Sequence, residues 1–186
     1  LDRLVNSVKQ LLDDEVYLFQ SKVNTKAALA RGVWDWHQDF TFWKDDGMPE
    51  PKALTVAVYL NDVTEFSGPM IVIPGSHRLG QAECTMENPD GVHDENLKYV
   101  ISKETIKRIA EQCGGLVSTK GKKGSVLFFD CNLLHASAQN LHYENRDILM
   151  LTYNSVNNKT KAIENPREDF MVKRDFSPIK PISSLT

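Results

Sequence analysis

Residues 53–74, ALTVAVYLNDVTEFSGPMIVIP, carry the pattern that most constrains the fold class. The stretch holds two apolar runs, rich in valine and isoleucine, and this composition favours buried β-strands. A short polar turn joins the two runs, and no helical segment lies between them. The second run stops at Pro74 and Gly75, which are turn-forming residues. We therefore predict two consecutive strands in a protein that does not alternate strands with helices.

The flanking sequence adds more strands and only two helices. Residues 1–14 place leucines and valines at helical spacing, and residues 102–115 begin with a Ser102 cap and end in two glycines. Three further segments predict strands: 15–28, 121–140 and 146–156. The expected fold class is mainly β, with a sandwich or jelly-roll core and a few flanking helices.

The composition is that of an ordinary globular protein, and we expect residues 1–186 to form a single domain. A net charge of −3 argues against nucleic acid and anionic membranes as partners, because both bind basic surfaces. No apolar run approaches the ~20 residues of a membrane span, and no signal peptide is visible. The chain begins with Leu1 rather than methionine, so we expect an amino-terminal portion to be missing.

The three cysteines, Cys84, Cys113 and Cys131, are odd in number and lack CxxC spacing. This argues against a disulfide framework and against a thiolate zinc site. Cys131 lies in an apolar run and is expected to be a small buried residue. A reducing compartment is indicated, and we expect a cytoplasmic location.

Residues 33–43, VWDWHQDFTFW, place a histidine and an aspartate two positions apart inside an aromatic run. In a strand, residues two apart point to the same face, so His37 and Asp39 would lie side by side. Burying an unpaired carboxylate is costly, and a shared metal ion would offset that cost. The stretch therefore indicates two ligands of a metal site.

The same alternation assigns the neighbouring side chains of this run to two faces. Asp35, Thr41 and Trp43 are expected beside the metal, where Trp43 would line a substrate pocket. Trp36 and Phe40 are expected on the opposite face, packed in the core.

A third metal ligand has to come from another part of the chain. His77 follows a turn, His93 lies in a polar irregular stretch and His142 lies in a loop. His135 instead ends an apolar strand and is followed by small polar residues, which makes it the preferred ligand. Two histidines and one carboxylate form the facial triad of non-haem Fe(II) oxygenases, which leaves positions open for other ligands.

Many such oxygenases take their electrons from 2-oxoglutarate, which needs a cation for its far carboxylate. Arg146 lies eleven residues after His135, at the start of a strand that we expect to run back alongside the His135 strand. An arginine can bind a carboxylate through two parallel hydrogen bonds. Arg146 is therefore the predicted clamp for this co-substrate.

Taken singly, these residues also fit plainer roles. His37 and Asp39 would serve as a charged pair at a sheet edge, and His135 as a hydrogen-bonded histidine at a strand end. Arg146 would be a surface residue paired with a neighbouring carboxylate. The complete set, in this order on β-rich sequence, favours the metal site.

Three parts of the chain resemble the phytanoyl-CoA dioxygenase family of Fe(II)/2-oxoglutarate enzymes. They are the quoted residues 33–43, the stretch DDGMPEPKALTVAVYLNDVTEFSGPMIVIPGSHR, and the segment GSVLFFDCNLLHASAQN with its following arginine. Within that family the chain is most similar to ectoine hydroxylase-like members. The resemblance runs from about Tyr17 to Pro178, and it implies a double-stranded β-helix (cupin-like) fold. Gln38, Thr41 and Lys44 depart from the ectoine hydroxylase pattern.

The resemblance also implies roles for individual residues. The iron ligands are His37, Asp39 and His135, and the co-substrate residues are Arg146, Ser137, Gln20 and Asn24. Trp43 matches an aromatic position near the substrate, whereas His77 matches a structural residue.

The leading hypothesis is an Fe(II)- and 2-oxoglutarate-dependent dioxygenase that hydroxylates a small molecule with O₂ and releases succinate and CO₂. An ectoine-like compound or an amino-acid derivative is the expected substrate, because aromatic side chains can hold its cationic group. The alternatives are a non-catalytic cupin-like binding module and a metal enzyme on the same barrel that does not use 2-oxoglutarate. A homodimer is also expected.

Overall fold

The computed structural model describes residues 2–86 and 99–180. Within these ranges the α-helices are α1 (Asp2–Leu12), α2 (Asp39–Asp45) and α3 (Lys103–Cys113), and Ser76–Leu79 form a 3-10 helix. The strands are β1 (Val16–Lys26), β2 (Trp34–His37), β3 (Ala53–Tyr59), β4 (Met70–Val72), β5 (Val117–Ser118), β6 (Val126–Asp130), β7 (His135–Ser137) and β8 (Arg146–Ser155). None of the helices in this part of the chain is long and apolar enough to cross a membrane.

The strands form two antiparallel sheets of four. The larger sheet has the order β1-β8-β3-β6, and the smaller sheet has the order β2-β7-β4-β5. One buried cluster takes side chains from both sheets, including Ala57 of β3, Val72 of β4 and Ile148 of β8. A core shared by two sheets is the arrangement of a β-sandwich, so the predicted mainly β class is confirmed.

The two helices predicted from periodicity and caps are present. Helix α1 buries Val5 and Val8 against the larger sheet, in a cluster with Val56 of β3. Helix α3 begins after Ser102, whose hydroxyl accepts a hydrogen bond from the backbone N–H of Thr105. It ends at Gly114, whose φ of 84° is a left-handed conformation that glycine adopts without strain.

The segment 121–140 is two strands rather than the single strand expected. Strand β6 stops at Asp130, whose carboxylate accepts a hydrogen bond from the N–H of Asn132 at 2.7 Å. This local turn carries the chain from the larger sheet to the smaller one. The sequence does not reveal the break between the two strands, because residues 131–136 are all buried and the apolar run continues through it. Cys131 is fully buried, as predicted.

The prediction that the Arg146 strand runs beside the His135 strand is wrong. Strand β8 lies between β1 and β3 in the larger sheet, whereas β7 lies between β2 and β4 in the smaller one. The change of sheet after β6 separates the two strands. Their residues can therefore meet only across the interior of the sandwich.

The expected strand through residues 33–43 ends early. Strand β2 stops at His37, Gln38 stays extended (φ −120°, ψ 129°), and Asp39 begins helix α2. The amide of Phe40 donates to the carbonyl of Cys131 at 3.0 Å, and that of Thr41 donates to the carbonyl of Gln38. The strand alternation therefore holds only as far as His37.

Candidate active site

Three elements bring His37, Asp39 and His135 together. His37 is the last residue of β2, Asp39 is the first of α2 and His135 is the first of β7. Because β2 and β7 are neighbours, His37 and His135 face each other in register, with ring centroids 4.2 Å apart. One ligand atom from each of the three residues lies within 4.8 Å of the others. The structure thus assembles the two imidazoles and one carboxylate that the sequence singled out.

Each histidine ring is oriented by a backbone carbonyl two residues earlier. The Nδ1 atom of His37 lies 2.6 Å from the carbonyl oxygen of Asp35, and that of His135 lies 2.9 Å from the carbonyl oxygen of Leu133. A carbonyl only accepts, so each Nδ1 carries the hydrogen and donates it. Each Nε2 is then left as a lone-pair donor for a metal, which is the usual arrangement around ligating histidines.

Burial makes His37 a neutral ligand at ordinary pH. Desolvation, with the neighbouring His135 as a second cause, lowers the pKa of His37 to about 4. The Nε2 atom of His37 lies 3.8 Å from an oxygen of Asp39. Neutral imidazoles and an ionised carboxylate are the forms that bind a divalent ion, and this donor set fits Fe(II).

A cavity of about 390 Å³ opens onto the three side chains. All eight residues proposed from the sequence line it: Gln20, Asn24, His37, Asp39, Trp43, His135, Ser137 and Arg146. They come from both sheets and from α2, so the cavity lies in the interior of the sandwich. A volume of this size suits a small-molecule site.

Arg146 is the most distinctive polar residue of the cavity. It is only 2% exposed, and one of its terminal nitrogens donates to the side-chain oxygen of Asn24 at 2.6 Å. Within the described residues its Nε has no hydrogen-bond partner and no carboxylate forms an ion pair with it. Burial lowers the pKa of Arg146 to about 10. A buried guanidinium without an anion is costly, so the site fits the far carboxylate of 2-oxoglutarate.

Trp43 lies on the cavity as predicted, but it reaches that position on a helix. Its ring packs edge-to-face on Phe19 at 5.4 Å and is 5% exposed, so it belongs to the core as well. Asp35 and Thr41 are not among the lining residues, contrary to the strand alternation. Trp36 packs against the cluster around Ile73, in agreement with its expected role.

The sequence reasoning missed Phe42, which lines the cavity and packs edge-on against His37 at 6.0 Å. Alternation in a strand would turn Phe42 away from Asp39. Residues three and four apart in a helix share a face, which groups Asp39 with Phe42 and Trp43. A helical interpretation of residues 39–45 would therefore have found Phe42.

Arg167 and Met171 were also missed, because they belong to a tail that has no periodicity. Arg167 lines the cavity while its Nε donates to a carboxylate oxygen of buried Asp46 at 2.7 Å. The tail is held on β1 by the N–H of Lys173, which donates to the carbonyl of Phe19, and by fully buried Val172. No local signal in the sequence indicates this return of the chain.

The other histidines lie outside the triad. His77 is in the 3-10 helix, and its Nδ1 is buried without a hydrogen-bond partner among the described residues. His142 is in a loop, where its ring stacks on Tyr143. His93 lies outside the described residues.

Comparison with known proteins identifies the family of the chain. The family model described as phytanoyl-CoA dioxygenase (PhyH) matches residues 1–146. The chain belongs to the phytanoyl-CoA dioxygenase family. The predicted family membership is therefore confirmed.

Two relatives are more than a third identical to this chain over the aligned residues. An L-proline trans-4-hydroxylase of Streptomyces griseoviridis is 38% identical over an alignment that covers 99% of this chain and 70% of the relative. An ectoine dioxygenase of Bordetella bronchiseptica is 37% identical, with 98% of this chain and 62% of the relative covered.

A crystal structure of EctD from S. alaskensis with 2-oxoglutarate and 5-hydroxyectoine matches with a TM-score of 0.76 and 36% identity. The match covers 92% of this chain and 57% of that chain. This likeness confirms the double-stranded β-helix expected from the sequence. The chain spans between 57 and 70% of the length of these three relatives.

Proposed function

We propose that the protein is an Fe(II)- and 2-oxoglutarate-dependent dioxygenase that hydroxylates a small molecule. The observation that carries the proposal is the cavity, onto which the triad of His37, Asp39 and His135 and the buried guanidinium of Arg146 both open. A metal site alone fits many enzymes. A buried cation without an anion in the same cavity adds a place for a dicarboxylate co-substrate.

Different side chains of the cavity would bind the metal and the co-substrate. His37, Asp39 and His135 would hold Fe(II), and Arg146 would receive the far carboxylate of 2-oxoglutarate, oriented by its hydrogen bond to Asn24. Fe(II) held there would supply the activation of O₂, with 2-oxoglutarate converted to succinate and CO₂ and a hydroxyl group transferred to the substrate.

The remaining co-substrate residues line the cavity from β1 and β7. Ser137 ends β7 and is buried beside the cavity, where its hydroxyl can donate to a carboxylate. Gln20 and Asn24 lie on β1, whose last residue pairs with Arg146 in register. Asn24 bonds to the guanidinium directly, whereas Gln20 lies opposite Thr152, six residues along β8 from Arg146. Phe129 and Met150 add apolar surface to the cavity.

The substrate that we propose is ectoine-like or an amino-acid derivative. Trp34 and Phe42 line the cavity and offer aromatic faces to a cationic group. Lys22 and Arg167 line it as well and offer positive charge to a carboxylate. A zwitterion carries both groups, and relatives named L-proline trans-4-hydroxylase and ectoine dioxygenase support this class.

Three further expectations remain predictions: a single domain over residues 1–186, a homodimer and a cytoplasmic location.

The test is succinate release by the purified protein with Fe(II), 2-oxoglutarate and O₂, screened over ectoine, L-proline and related zwitterions. We expect one substrate to stimulate succinate release in step with a hydroxylated product. The His135→Ala variant serves as the control without a complete triad.

The two alternatives give different outcomes in the same screen. A binding module would bind a ligand without releasing succinate under any condition. A metal enzyme that does not use 2-oxoglutarate would bind Fe(II) but show no saturable binding of 2-oxoglutarate. Either result would refute the proposed activity.

A further inference from the structure

Gln38 lies between two of the proposed metal ligands, yet its side chain points away from the cavity. The residue is 2% exposed and is absent from the cavity lining. It occupies the position before helix α2, where a side chain often caps the first turn, but it makes no such hydrogen bond. Its amide is used elsewhere.

The amide of Gln38 joins three segments of the chain. Its Nε2 donates to the carbonyl of Asn132 at 2.6 Å and to the carbonyl of Gly80 at 2.9 Å. Its Oε1 accepts from the N–H of Ala82 at 2.7 Å. Both donors and the acceptor are therefore satisfied by backbone groups, which is what a buried amide needs to be stable.

One partner of this amide, Asn132, lies close in the chain to a proposed metal ligand. It belongs to the crossing between β6 and β7, three residues before His135. The next residue, Leu133, supplies the carbonyl that orients the His135 ring. One side chain thus connects the turn that carries His37 and Asp39 to the crossing that carries His135.

We propose that Gln38 is a positioning residue that fixes the distance between the His37–Asp39 turn and the His135 segment. The inference rests on the proposed metal site and deepens it. A sharp change from strand to helix separates His37 from Asp39. The pairing of β2 with β7 already sets His37 opposite His135, and the N–H of Phe40 donates to the carbonyl of Cys131, so the amide acts chiefly on the part of the turn that leads to Asp39. Without the amide, Asp39 would lose its preset position relative to the two histidines.

The test measures metal binding rather than turnover, with Co(II) titrated anaerobically and followed by its visible absorption. Gln38→Met keeps an unbranched side chain of similar size and removes all three hydrogen bonds. We expect it to weaken Co(II) binding about tenfold, the lower end of the loss that follows removal of a group bonded directly to a metal ligand, because Gln38 acts on the ligands through the backbone. We also expect an altered Co(II) spectrum, which a uniform loss of stability would not produce.

Asn158→Leu is the matched control. Asn158 is a 3% exposed amide outside the cavity lining, and its three hydrogen bonds join it to Glu50 and Asn154. The Asn158→Leu variant should have a melting temperature lowered as much as that of Gln38→Met, while its Co(II) affinity and Co(II) spectrum stay unchanged. Equal weakening of Co(II) binding in both variants would overturn the proposal.

Co(II) affinity of Gln38→Met within about threefold of wild type would also overturn it. If Gln38→Met fails to fold, Gln38→Glu decides, because it keeps the acceptor and the size and loses at least one donor. Its added negative charge favours Co(II), so weaker binding supports the positioning role, and unchanged or tighter binding refutes it. Failure of the wild-type protein to bind Co(II) or Fe(II) would refute the metal site itself and so separates the two proposals.

Discussion

Replacing Arg146 by alanine should weaken 2-oxoglutarate far more than it weakens iron. Arg146 is 2% exposed, and among the described residues its Nε has no partner and only the Asn24 side chain accepts a hydrogen bond from its guanidinium. Its remaining N–H groups are available to a bound carboxylate. Breaking a buried ion pair by removing one partner typically costs ~3–5 kcal/mol, which corresponds to about two to four orders of magnitude in affinity.

The assay is calorimetric titration of 2-oxoglutarate into the Fe(II)-loaded protein under anaerobic conditions. Arg167→Ala is the matched control, because Arg167 lines the same cavity but is 37% exposed and already paired with Asp46. We expect the control to change 2-oxoglutarate affinity by less than about tenfold, as partly exposed ion pairs contribute little. Arg146→Lys should recover only part of the loss, since an ammonium cannot form the two parallel hydrogen bonds.

A dissociation constant for 2-oxoglutarate that rises less than about tenfold in Arg146→Ala would refute the reasoning. The same conclusion would hold if Arg167→Ala lost as much affinity as Arg146→Ala. Iron binding, titrated separately, should stay near the wild-type value in both variants because neither residue belongs to the triad.

Three other predictions test the triad and the fold. His135→Ala should largely remove Fe(II) binding in a metal titration, whereas His77→Ala should leave it unchanged. The reverse result would show that His77, and not His135, is the third metal ligand. Trp43→Ala should impair coupled hydroxylation and also lower the free energy of unfolding by ~3–5 kcal/mol, since the ring packs on Phe19. Coupled turnover and chemical denaturation measure the two effects. A variant as stable as the wild type would contradict a packing role for Trp43. Ser102→Ala should lower the free energy of unfolding by about 1 kcal/mol, because helix α3 loses its cap. An unchanged denaturation midpoint would show that the cap is dispensable.

The proposed ligands and the clamp could be chosen from the sequence because chemistry restricts them to few residue types. Two histidines and an aspartate on β-rich sequence, followed by an arginine, already specified His37, Asp39, His135 and Arg146. Helix α3 was predictable for a similar reason, because its cap and its terminal glycines act within a few residues. Local signals of this kind survive in any tertiary context.

The course of the chain around the site was not predictable. The aromatic run of residues 33–43 fits both a strand and a helix, because side chains on both sides of it are apolar. The change at Gln38 depends on hydrogen bonds to Asn132 and Cys131, which lie more than ninety residues further along the chain. The strand interpretation of this run therefore predicted that Phe42 points away from the metal and that Thr41 lies beside it, and both predictions are wrong.

Only the tertiary structure decided which strands meet and what closes the cavity. The apolar run 121–140 contains no marker of the crossing between sheets other than the Asp130 turn. Arg167 reaches the cavity because distant residues bury Val172 and pair with the tail backbone. Residue types and short-range spacing specify ligands and caps, whereas sheet partners and the return of the tail depend on contacts between residues far apart in sequence, which no local pattern records.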